Sequence, residues 1–93
     1  MIDVERLSDD PLTFRVRVRE GGGETCHRVT ISEGTVAQLG QGRITPEQCI
    51  EASFRFLVDR EPKESILREF DVAVIARYFP EYEAELPRYL SDV

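Results

Sequence analysis

Catalysis needs a nucleophile, a base or a metal ligand, and this sequence of 93 residues supplies few of them. His27 is its one imidazole, and Cys26 and Cys49 are its two thiols. Cys26 and His27 are neighbours in a segment with strand alternation, so they point to opposite faces and are poorly placed to share a metal ion. No metal site is expected. His27 falls on the core-facing parity near the open end of a hairpin, where the plain reading is a partly buried imidazole satisfied by backbone or a carboxylate. Ser53 stands between Ala52 and Phe54 in an apolar helical stretch, where a small hydroxyl bonds the preceding helical turn. A nucleophile, a base and an anion stabiliser cannot be assembled from these residues, so no catalytic residue and no cofactor is assigned. The expectation is a protein that is not an enzyme.

Other motifs reduce to simpler roles. Glu61, Glu64 and Glu69 lie beside Arg60, Lys63 and Arg68 and read as a solvated, ion-paired face. Gly21, Gly22 and Gly23 are followed by a strand and lack the Lys-Ser/Thr of a phosphate loop, which makes them a hairpin tip. Residues 65–78 have the outline of a degenerate helix-turn-helix. Residues 59–78 hold four bases against five acids, and the second helix offers one Arg and no Asn, Gln or Lys to base edges. DNA reading is disfavoured.

The most function-like feature is an arginine stripe. Residues 12–19 alternate strictly, with Leu12, Phe14, Val16 and Val18 on one face and Thr13, Arg15, Arg17 and Arg19 on the other. Residues 25–32 place His27, Val29 and Ile31 on one parity and Cys26, Arg28 and Thr30 on the other. Pairing the apolar sets fixes an odd register sum, with either Arg19 facing Glu24 or Glu20 facing Thr25. Both put Arg15, Arg17, Arg19 and Arg28 on one outer face. Four guanidinium groups there repel unless acids lie across them. Asp3 and Glu5 of the N-terminal segment, Glu81, Glu83 and Glu85 of the acidic tail, an acidic partner protein or a nucleic-acid backbone could supply that negative charge, and the interleaved Thr and Cys, in place of stacking aromatics, favour the protein over the nucleic acid.

The elements that position these residues define an α+β fold. An N-terminal antiparallel hairpin, or a three-stranded sheet if residues 2–7 pair before the Asp9-Asp10-Pro11 turn, packs on three to four short helices. The whole of 1–93 reads as one domain, with 1–32 forming the sheet and 33–93 mostly helical. Thr45, Pro46 and Gln48 form a capping box that starts a central helix over 46–59. Pro62, with Glu64 in the first turn and Arg68 near the end, predicts a helix over 62–70. Asp71 caps another over 72–79, and a short acidic helix over 81–86 stops before Pro87. Tyr89 and Leu90 fold back on the body, and the last few residues are expected to be loose.

Eighteen acids against twelve bases give a formal charge of −6, which repels phosphate backbones and membrane surfaces. No apolar run approaches the roughly 20 residues of a membrane span. Two unpaired cysteines and a start without a basic, apolar leader lead us to expect the cytoplasm.

Ser53-Phe54-Arg55-Phe56-Leu57, the stretch from Arg60 to Leu67, Phe70-Asp71, and the stretch from Arg77 to Tyr82 resemble a family of small uncharacterised bacterial proteins. The resemblance carries no known activity and transfers no site residue. It implies that residues 60–66 and 77–82 matter as units. The functional expectation is a small protein-interaction module, self-associating through open sheet edges, with Arg15, Arg17, Arg19, Arg28, Tyr78, Tyr82 and Tyr89 as its contact surface. The alternative is a nucleic-acid-associated regulator using residues 65–78 or the arginine stripe. No small-molecule substrate is evident.

Overall fold

A computed structural model describes residues 1–90. Alternation builds three antiparallel strands, β1 (Ile2–Asp9), β2 (Leu12–Glu20) and β3 (Gly23–Thr30). The third strand foreseen at the N-terminus is present. Arg19 pairs with Glu24 and Val16 with His27, which selects the first of the two registers. Pairing continues to Glu20 and Gly23, so the tip tightens to Gly21-Gly22. Both glycines have positive φ, 65° and 84°, as a two-residue turn that follows strand twist requires.

Ser32 caps α1 (Glu33–Gly40) through a hydrogen bond from the Thr35 amide. The Thr45 capping box is complete and starts α2 (Pro46–Val58). Cys49, Ile50, Ala52, Ser53, Phe54, Phe56 and Leu57 are all buried, which makes α2 the centre of the helical layer.

The helix predicted over 62–70 does not form. A single 3-10 turn (Lys63–Ser65) gives way to extended backbone and a short strand, β4 (Glu69–Asp71), parallel to β3. The competing demand comes from the sheet, because β3 without β4 would leave a row of main-chain groups unpaired. The Arg28 amide donates to the Arg68 carbonyl at 2.7 Å, and Val29 pairs with Phe70. The sheet is therefore four-stranded and mixed, in the order β1-β2-β3-β4, and the C-terminal part is less helical than expected. The helix-turn-helix outline loses its first helix.

Asp71 accepts from the Ala73 amide and opens a 3-10 turn (Val72–Val74) that runs into α3 (Ile75–Tyr78). The final helix, α4 (Tyr82–Leu90), continues through Pro87 instead of stopping before it. Tyr82, Leu86 and Tyr89 form one inner stripe across that proline. Pro87 and Glu83 are exposed, so the carbonyl that loses its N–H partner faces water. The predicted loose end, residues 91–93, lies outside the described residues.

All helices pack on one face of the sheet around a single cluster that includes Phe14, Val16, Val29, Phe54, Phe56 and Leu86. The other sheet face is open to water. Among the described residues, no helix is long and apolar enough to cross a membrane.

Candidate functional site

Strand register decides what the outer sheet face can bind. Cross-strand pairing lines up Glu5, Arg15, Arg28 and Glu69 in one row and Asp3, Arg17 and Cys26 in the next. A basic centre thus runs between two acidic edges. Arg15 meets Glu5 at 3.3 Å, Arg19 meets Glu24 at 2.9 Å and Asp3 at 3.7 Å, and Arg28 meets Glu69 at 4.0 Å. The sheet answers its own arginines. The tail acids Glu81 and Glu85 instead pair with Arg60 and Arg88. Arg17 alone of the stripe has no carboxylate partner among the described residues. These pairs are exposed and each contributes on the order of 0–1 kcal/mol, so the face is a neutralised, solvated surface.

The candidate chemical groups are built into the interior. His27 is buried, with Nδ1 2.8 Å from the Leu67 carbonyl and Nε2 2.9 Å from the Thr25 hydroxyl. A carbonyl only accepts, so Nδ1 carries the proton and the Thr25 hydroxyl donates to Nε2. The imidazole is a bolt between β3 and the segment ahead of β4. Ser53 donates to the Cys49 carbonyl at 2.7 Å and lies 2.6 Å from the Tyr82 hydroxyl. Burial pushes the Cys49 thiol up to about 11, away from nucleophilic thiolate. Cys26 is on the exposed outer face, far in direction from His27 and Cys49.

Burial holds the His27 pKa below its ordinary value, against the Leu67 hydrogen bond and with help from the Arg68 charge. The unfolded imidazole titrates at ~6.5, so below that pH the unfolded chain binds more protons than the native one. The stabilisation is complete above ~6.5 and is lost as pH falls. Urea midpoints are therefore expected to drop between pH 7 and about pH 5.5, and His27→Gln, which keeps a donor for Leu67, is expected to flatten that slope. Glu61, raised by burial, acts with the opposite sign in both proteins, so the comparison between them isolates His27.

The tyrosines do not join the arginines. Tyr82 is buried, its hydroxyl on Ser53, which removes it from any contact surface in the folded chain. Tyr89 is half-buried and bonded to Asp59 at 2.7 Å and to Arg60 at 3.2 Å. Tyr78 is exposed, at 67 %. It lies in the helical layer, behind the sheet that carries Arg15, Arg17, Arg19 and Arg28. The surface expected from the sequence is therefore divided between separate parts of the molecule.

Tyr78 instead borders a feature that the sequence did not reveal. Because Leu67 and Arg68 give their carbonyls to β3, the chain after α2 is drawn sideways onto the sheet edge. Between it, the end of α2 and α3 lies a cleft of about 320 Å³. Leu57, Ile66, Phe70 and Phe79 supply apolar walls, and Glu61 and Ser65 supply the polar groups. Leu67, 48 % exposed, and Tyr78 stand at its rim. Apart from Met1, these are the large apolar side chains left in water among the described residues. The 60–66 and 77–82 stretches singled out by resemblance contribute Glu61, Ser65, Ile66, Tyr78 and Phe79 to this cleft.

This is a two-layer α+β fold with an apolar cleft on its helical side and a charge-striped sheet on the other. Comparison with protein-family models, curated proteins and solved structures finds no match.

Proposed function

We propose that this chain is a protein-interaction module that holds a segment of another protein in the cleft beside Leu67 and Tyr78. The observation that carries this reading is the exposure of those two side chains at the rim of an apolar cavity, since a chain this small has every reason to bury them. A partner of different charge fits better than a second copy. Two copies each carry −6, and the long β1 edge would set Asp3 and Glu5 against their own kind. That edge is also blunted by a bulge between Arg6 and Ser8, and Arg6 is tied inward to Glu47. Two free cysteines fit a reducing, cytoplasmic setting. The neutralised outer face, with no stacking aromatics, gives little hold for a nucleic-acid backbone.

The test begins with co-purification from the native host, followed by calorimetry between the purified chain and the purified partner. Leu67→Glu with Tyr78→Glu changes exposed groups, so the fold is expected to persist by circular dichroism. Binding is expected to weaken at least about a hundredfold, as loss of two apolar contacts of ~1.5 kcal/mol each implies. Arg17→Glu, on the opposite layer, is expected to bind like the parent. The reverse pattern overturns the proposal.

A further inference from the structure

We infer that the partner's anchor in this cleft is a basic side chain, with its aliphatic stem against Phe70 and Phe79 and its cationic head between the Glu61 carboxylate and the Tyr78 ring. The inference rests on the docking reading above and names the chemistry that the site selects. Glu61 is half-buried three residues beyond the end of α2 and forms part of the cleft wall. Its carboxylate has no hydrogen-bond or ion-pair partner among the described residues. The nearest bases in sequence are engaged elsewhere, Arg60 with Glu81 at 3.1 Å and Lys63 with Glu64 at 2.8 Å.

A carboxylate set into an apolar wall without a cation loses hydration and gains nothing in return. Burial accordingly raises the Glu61 pKa. A ligand that brings its own positive charge reverses that cost, and its methylene stem covers the apolar walls in the way long basic side chains do. The exposed Tyr78 ring adds a face for a guanidinium or ammonium group. A purely apolar anchor would leave the Glu61 charge more deeply desolvated than before. The overall charge of −6 favours the same class of partner at long range.

The probes are capped hexapeptides, Ala-Ala-Leu-X-Ala-Ala, with Arg, Lys, Gln or Glu at X, titrated into the isotope-labelled full chain and followed by amide chemical shifts. The Arg and Lys peptides are expected to shift residues 57–79 and to bind about five- to tenfold more tightly than the Gln peptide, the range for a partly solvated charged pair. The Glu peptide is expected to bind most weakly. Glu61→Gln is expected to bring the basic peptides to the affinity of the Gln peptide while leaving the location of the shifts unchanged. If all four peptides bind in the cleft equally, or the preference survives Glu61→Gln, the basic anchor is wrong and the docking site stands. If no peptide shifts residues 57–79, both are overturned.

Discussion

Replacing Phe56 with alanine is expected to destabilise the fold by about 3–5 kcal/mol, the range for removing a fully buried aromatic ring. Phe56 is completely buried in α2, and its ring meets three others edge-on: Tyr82 at 5.2 Å, Phe79 at 5.8 Å and Tyr89 at 5.9 Å. Those rings come from the α3 end and from α4, so one side chain joins the C-terminal elements to the central helix. The fixed aromatic neighbours limit collapse into the space left behind, which places the loss toward the upper end of that range. A chain of this size is stable by roughly 5–14 kcal/mol, so the variant would keep a fraction of its margin. Thermal denaturation is expected to show a melting point lower by at least about 12 °C. A fall of a few degrees would mean that α4 is not held through this ring.

The second large effect is expected at Arg60. Its guanidinium lies 3.7 Å over the Phe56 ring, donates to Glu81 at 3.1 Å and to the Phe56 carbonyl at 3.3 Å, and reaches Tyr89, whose hydroxyl then donates to Asp59. An arginine that covers a ring and bonds three groups at once differs from the exposed pairs of the outer sheet face. Arg60→Ala is expected to cost about 2 kcal/mol, combining a partly desolvated cation–π contact with charge-assisted hydrogen bonds. Hydrogen exchange is expected to rise along α4 first, because Glu81, Glu85 and Tyr89 lose their tie to the end of α2. Arg60→Met retains apolar cover on Phe56 and is expected to recover part of the loss. Equal denaturation midpoints for the parent and Arg60→Ala would reduce this cluster to solvated surface.

What the sequence made legible was local. Two-residue alternation in β2 and β3 reported the inner face and the odd register, because a one-residue slip would have exposed Val16 and Val18. The Thr45-Pro46-Gln48 box reported where α2 begins, because capping is a contact within four residues. What was hidden was set by distant partners. Pro62, Glu64 and Arg68 carry helix signals, yet the open edge of β3 and the His27 imidazole claim the Arg68 and Leu67 carbonyls from roughly forty positions away. Ile66 and Phe70, four apart, would suit a helix stripe as well as the core and sheet positions that they occupy. Pro87 read as a stop, although the stripe of Tyr82, Leu86 and Tyr89 continued past it.

The candidate site followed the same division. The arginine stripe was legible from parity alone, but its neutralisation depended on β1 and β4 lying on either side of it. Tyr78 is exposed, whereas Tyr82, which the sequence offers as a surface residue, is buried by its position on the inner stripe of α4. The cleft itself had no sequence signal, because it exists only where the rerouted segment before β4 leaves α2 and α3 apart.

The central claim concerns where the partner sits, and hydrogen–deuterium exchange of the chain alone and in its purified complex tests it most directly. The account predicts new protection across residues 61–70 and 75–79, with the β1 edge and the β2–β3 turn unchanged. Protection concentrated in residues 2–9, or none within 61–79, would contradict it.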